Sequence, residues 1–424
     1  MKLKPAYRHS PLSALFNFYP IEGLKSDTIN AISNFLIKYN LQTEFFNLNN
    51  TVCEVVKSDS ILGVEVEIER VPDALQSLLI PFWTQVNDNS LRNNGREFIS
   101  CPAYPEMIRT LLILLFAGFD IMRKNKITIP EFSWRTSIHF HLNMRNETVE
   151  QLINFTVLYL LFEDALFDFV GEDRRTSNFC VPLQDTNLPN LLSIIINGKK
   201  PIDKLTRNWF KYTALNLRPL TYNDHASDHP EHSDTFNGKG TVEFRHLEGT
   251  YNINKIIAWM NLILLLQLAS RKLSLDDIED RIAGLDNKQN YTFFLREVFG
   301  DSLPAPKNFQ KVLFSSVASA KECFCPMPNI SEIYKAIDPA QTGLAEMIKL
   351  RERNTKPQIQ KSTTRLSPKK ISEINWGQNI PITGFAQFSD PEAPVAPVVS
   401  PVFLNWDPVT ETVFTTTTTN SNGN

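Results

Sequence analysis

Three short segments constrain the fold more than anything else in the chain. Residues 61–70 read ILGVEVEIER, residues 136–143 read TSIHFHLN and residues 241–249 read TVEFRHLEG. Each alternates apolar with polar side chains, and a β-strand puts residues i and i+2 on one face. Leu62, Val64, Val66 and Ile68 thus share a face, opposite Glu65, Glu67 and Glu69. Ile138, Phe140 and Leu142 oppose Ser137, His139, His141 and Asn143. Val242, Phe244 and His246 oppose Glu243 and Arg245. Strands that are apolar on one side only belong to a sheet with one covered and one open face.

Apolar helices to cover such a sheet are present. Pro105 opens one that runs to about Lys124, and another spans Glu147–Val170 and stops at Gly171. Leu188–Ile196 and Asn254–Arg271 are further helices, and shorter ones continue to about Arg353. Near the start, Ser26 or Asp27 caps a helix to about Asn40 with Ile29, Ile32, Leu36 and Ile37 on one side. Phe98–Ser100, after the turn-like Asn93-Asn94-Gly95, and Tyr212–Leu217 are added strands. The expected class is α+β: a mostly antiparallel sheet with a helix-covered face and an open face, the latter the candidate catalytic face if its polar residues converge. The expected regions are a lead-in (1–57), a central α+β domain (58–272), a helical extension (273–354) and a Pro/Thr-rich tail (355–424). The tail has five basic and five acidic residues and eight prolines, the composition of a disordered or extended segment.

The formal net charge is −3, which excludes a nucleic-acid coat and a polybasic membrane binder. The apolar runs Leu111–Phe119 and Ile256–Ala269 fall short of the ~20 residues of a membrane span, so no membrane is expected. Five cysteines, odd in number and scattered, and no apolar leader point to a reducing, cytoplasmic setting. Cys323 and Cys325 have no second pair with which to hold zinc. Only 15 glycines occur in 424 residues, and neither GxxxxGK nor GxGxxG is among the motifs. A nucleotide would have to be held without a glycine-rich loop.

Taken singly, Glu-x-Glu is a solvated strand face, His-x-His a structural pair and Glu-x-Arg a surface pair. Together in one sheet they put Glu65, Glu67, Glu97, His139, His141, Glu243 and Arg245 on one surface. Converging carboxylates raise each other's pKa, and divalent cations remove that cost. Oxygen-rich ligands suit Mg²⁺ or Mn²⁺, and such ions hold phosphate oxygens. Arg245 would serve an anionic group beside them.

In this order, with the flanking text NDNSLRNNGREFIS, FVGEDRRTSNFCVPL and YTALNL, the chain resembles the amidoligases of bacteria and bacteriophages over roughly residues 58–272. These are carboxylate–amine ligases with a fold like that of glutamine synthetase and glutamate–cysteine ligase. The resemblance implies ATP and Mg²⁺ as cofactors and an amide bond made through an acyl phosphate. It implies Glu65, His139 and Glu243 on one ion and Glu67 with Glu97 on the other. Asp88 would assist as a ligand or take the amine's proton, and His141 would sit nearer the nucleotide. Arg245 would hold the γ-phosphate, with Arg174 or Arg175 as a second clamp, and Asn216 matches the family's Leu-Asn. The family's Asp-Gly-Ser-Leu is here Asp88-Asn89-Ser90-Leu91, and Asn89 is expected to supply the left-handed turn.

The partners expected are a carboxylate and an amine substrate; if phage-encoded, the protein would work in the host cytoplasm. Two other readings stand beside this one: a phage structural or host-interaction protein built on the same scaffold, and a His/Glu metal-dependent hydrolase. The segment Thr221–Gly240, with His225, His229 and His232, reads as a flexible polar loop, with a substrate lid or a transition-metal site as alternatives.

Overall fold

The structure is a computed structural model. It describes residues 3–16, 21–24, 28–125, 127, 130–197, 202–207, 209–221 and 238–325, with two short strands at 404–406 and 413–415. The histidine-containing loop and most of the tail lie outside these residues.

The class is α+β. Six antiparallel strands form one open sheet: β1 (Leu62–Ile68), β2 (Trp83–Asn87), β3 (Arg96–Ser100), β4 (Ser137–Asn143), β5 (Leu215–Asn216) and β6 (Thr241–Glu248). Their order is β2-β3-β1-β4-β6-β5. The alternating segments form adjacent strands, β1, β4 and β6, in the middle of the sheet. β2 is an element the sequence reading lacked: five residues after Phe82, too short for periodicity to register. β5 is shorter than expected, two residues rather than the Tyr212–Leu217 stretch.

The apolar face is covered by the helices Pro105–Lys124 and Val149–Val170. Phe98 of β3 meets Phe119 edge-on, and Phe244 of β6 meets Phe155. Val64, Val66, Phe140, Val242 and Phe244 are fully buried. Thr148 and Gln151 cap the second helix reciprocally, and Gly171 ends it at φ 119°, where a side chain would be strained. The helix Ile253–Lys272 is apolar and long enough to cross a membrane by length and composition, longer than its apolar run suggested. Its Ile256, Trp259, Met260, Ile263 and Leu264 are buried within the protein.

One departure from strict alternation matters. Between β4 and β6 the register shifts: Phe140 faces Phe244, but Ile138 faces Leu247. The extra residue on β6 is a bulge, and it turns both His246 and Leu247 into the core. By period two, Leu247 would have stood on the polar face. His246 is held neutral there: burial, then the charges of Arg174 and Arg175, push its pKa well down. Its Nε2 lies 2.8 Å from the Tyr159 hydroxyl, which donates to Glu163.

The lead-in is helical over Ile29–Tyr39 and Gln42–Thr51. Its buried stripe is Ile32, Phe35 and Leu36, while Ile29 and Ile37 are exposed, so the expected face is rotated. Leu12 N–H donates to Glu147 O, and Arg109 donates to Asn49 and Val52 O. Contacts divide the chain at one place, into Met1–Pro357 and Gln358–Asn424. In the second unit, Leu404–Trp406 and Val413–Thr415 pair antiparallel within a tail expected to lack structure.

Candidate active site

Register alone brings the polar side chains together. Glu65 stands opposite His139, Glu67 opposite Glu97, and His141 opposite Glu243, which in turn faces Asn216. The polar face is not washed by solvent, as an open face would be. Glu65, Glu67, Glu243, His139 and His141 are buried at the floor of a cavity of about 630 Å³. Its walls include Asp88, Arg135, Phe179, Lys211, Tyr212 and Lys239.

Hydrogen bonds orient the donors. Ser137 donates from its backbone N–H and its hydroxyl to Glu67 Oε2, at 2.8 and 2.7 Å. That hydroxyl has one proton, so its oxygen is left to accept from His139 Nε2 at 2.6 Å. The other ring nitrogen, Nδ1, faces Glu65 Oε2 and Glu243 Oε1, 3.6 and 3.5 Å away. Glu243 Oε2 accepts from Asn216 Nδ2 at 2.7 Å, and Glu243 Oε1 is ion-paired with Arg245. His141 Nδ1 is 3.2 Å from Thr241 Oγ1. Its Nε2 is 3.0 Å from Glu65 Oε1, yet this buried atom makes no hydrogen bond of acceptable geometry.

The charges are unequal. Burial raises Glu65, but the charge of His141, the His139 ring beside it and Lys239 outweigh it and hold the carboxyl well below its usual value. Burial likewise raises Glu243, and Arg245, His139 and His141 bring it down. Glu97 is pushed up to about 9 by burial first, then by Glu65, Glu67 and Asp88. A site of four carboxylates with two histidines thus retains a proton on one acid while another has an imidazole nitrogen beside it with no hydrogen bond. Both are features of residues arranged for a cation.

The donor atoms of Glu65, Glu97 and His139 lie within 4.8 Å of one another, as do those of Glu65, His141 and Glu243. Glu65 is common to both groups. His141, expected nearer the nucleotide, falls in the second group, while Glu67 is in neither and is held by Ser137. Asp88 lines the cavity, but its carboxylate also accepts from Ser90 N–H at 2.7 Å and Ser90 Oγ at 2.9 Å.

Other expectations are moved. Arg174 does not reach the cluster; it donates to the backbone carbonyls of His246 and Arg245 at 2.7 and 2.8 Å, fixing β6. Arg175 pairs with Asp164 at 2.6 Å and lies over Phe167. Asn89 does not adopt a left-handed conformation; in this hairpin Asn93 and Asn94 do, at φ 52° and 62°. Sequence reasoning missed Lys239, whose ammonium is 3.4 Å from Glu65 Oε1. Its signal was a cation between Gly238 and Gly240 just before β6. A Cβ at Gly238 would come within 2.4 Å of Leu220 O, so the chain there must be bare. Arg135, Lys211, Tyr212 and Phe179 were also missed, because loops bring them in.

Comparison with known families bears on this geometry. Residues 120–267, roughly a third of the chain, match the model of a family described as "Putative amidoligase enzyme". This segment is similar to that family. It carries β4, β5 and β6, hence His139, His141, Asn216, Glu243 and Arg245. Glu65, Glu67, Asp88 and Glu97 lie outside the match and join the residues of the matched segment by strand pairing and the adjoining turn. The family's description supports an amide-forming ligase. A comparison with curated proteins finds no match.

Proposed function

We propose that the protein is an ATP- and Mg²⁺-dependent carboxylate–amine ligase working through an acyl phosphate, on a sheet of the glutamine synthetase kind. One observation carries this reading: Glu65, Glu97, Glu243, His139 and His141 converge beside Arg245 on a buried sheet face that runs into the segment similar to the amidoligase family. Carboxylates are poor electrophiles, so amide formation needs activation, and phosphoryl transfer rests on positioning and charge neutralisation.

Glu65, His139 and Glu243 would hold one ion, with Glu97 beside Glu65 and Glu67 for the other. Bound Mg²⁺ or Mn²⁺ would neutralise phosphate oxygens and polarise the γ-phosphoryl group. Arg245, whose Nη1 pairs with Glu243, would bind that group's oxygens. A substrate carboxylate oxygen attacks the γ-phosphorus and ADP leaves with the bridging electron pair. The nitrogen of the neutral amine would then attack the acyl carbon, phosphate would leave, and Asp88 would take the one proton that the nitrogen sheds after attack. Asn216 keeps Glu243 aimed, and Arg174 acts through the Arg245 backbone.

The test is ADP formation by the full chain with Mg²⁺, a carboxylate and an amine, beside equilibrium binding of a non-hydrolysable ATP analogue. Glu65→Ala, Glu243→Ala and Arg245→Ala should each lower turnover by about a hundredfold or more, as loss of transition-state charge stabilisation does. Absence of Mg²⁺-dependent nucleotide binding to the unaltered protein would refute the reading.

A further inference from the structure

A second cavity, of about 530 Å³, adjoins the first and shares Phe179 as a wall. We propose that it receives the amine-bearing substrate, a primary ammonium on an aromatic or apolar body; this rests on the ligase reading above.

The lining has two kinds of side chain. Phe132, Trp134 and Phe179 are aromatic, and Asp173 and Glu248 are acidic. Trp134 is 75% exposed, an unusual state for an indole, and offers a ring without a complete packing partner. These rings already attract a cation: the Arg135 guanidinium sits 5.3 Å from the Trp134 ring centroid and 5.9 Å from that of Phe179. Asp173 meets no cation among the described residues. Glu248 is paired through Oε1 with Lys255, but its Oε2 is buried and has no hydrogen-bond partner. Such an oxygen lacks a donor, and an ammonium brings three. The lining's own cation, Arg174, is spent on two backbone carbonyls of β6.

The position suits the chemistry. The loop that carries Asp173 and Phe179 is fixed to β6 twice, by Arg174 and by Arg245 Nε donating to Phe179 O at 3.2 Å. An amine seated here lies one side chain away from the guanidinium that would hold the acyl phosphate. Its body stays among the aromatic rings, and once one ammonium proton has passed to water the neutral nitrogen reaches past Phe179.

The probes are tyramine and 3-(4-hydroxyphenyl)propanoate, alike in ring and chain length and opposite in charge. They are titrated against the full chain without nucleotide, by calorimetry or ligand-observed NMR. Tyramine should bind at least tenfold tighter than the propanoate. Trp134→Ala and Asp173→Asn, both at exposed positions that the core does not need, should each weaken tyramine at least threefold. Both variants should raise the KM for tyramine in ADP formation and leave Mg²⁺-dependent binding of the ATP analogue unchanged. No tyramine binding, equal or tighter binding of the propanoate, or tyramine binding unaltered in both variants overturns the inference. Loss of nucleotide binding in the unaltered protein is a separate result; it removes the ligase reading, whereas the probe titrations judge the cavity.

Discussion

Glu97 faces Glu67 across β1 and β3 with Glu65 alongside, and in this company it keeps its proton up to about pH 9. A cation that takes Glu97 as a ligand must displace that proton. Lowering the pH favours the protonated form, so metal affinity should weaken as pH falls from about 9 and strengthen as it rises. Mn²⁺ titrations of the full chain between pH 6 and 9 should show roughly one proton released per ion bound at this carboxyl. Glu97→Gln should flatten the profile; an unaltered slope in that variant would mean another group supplies the proton. The same scale explains why the two arginines after the long helix were not separable from text alone. Arg174 and Arg175 are adjacent and alike, yet one bonds to strand carbonyls and the other to Asp164.

At the scale of elements, the Val149–Val170 helix is the main support behind the site. It buries Phe155, Tyr159 and Phe167 against the core face of the sheet. Its ends are specified locally, by the Thr148–Gln151 box and by Gly171. Thr148→Ala should cost about 1 kcal/mol of unfolding free energy, as lost caps do. Gly171→Ala should cost about 1–2 kcal/mol, because φ 119° strains any residue with a Cβ. Urea midpoints measure both, and an unchanged midpoint for Gly171→Ala would show that the chain relaxes there. The β6 bulge belongs to this scale too: by turning His246 and Leu247 inward together, it leaves Arg245 as the polar-face residue next to His139.

For the whole molecule, stability should rest on the body and not on the tail. Met1–Pro357 is a compact unit of its own. A chain ending at Pro357 should unfold at the same urea concentration and keep Mg²⁺-dependent nucleotide binding; loss of either would assign the tail a part in the fold or in the site. Phe244→Ala, by contrast, removes a fully buried ring packed against Phe155, Tyr159 and Trp259, and should cost about 3–5 kcal/mol. Since β6 carries Glu243 and Arg245 on its reverse face, nucleotide binding should weaken in the same variant.

Alternation by itself determined which residues of β1, of β4 and of β6 as far as His246 are core and which are polar, because a strand has two faces and water chooses between them. It therefore exposed Glu65, Glu67, His139, His141, Glu243 and Arg245 as a set, and the resemblance attached a chemistry to them. Only tertiary structure decided which of them meet. Strand order and register are long-range pairings, so text could not say that Glu65 lies against both histidines or that Glu97 stores the proton. Nor could it show that the polar face is buried at the floor of a cavity, because the walls at Asp88, Phe179, Tyr212 and Lys239 come from loops with no period to read. The bulge at His246 is a local break in the very rule that found the strand, and its cause lies in packing across the sheet rather than in the residues that make it.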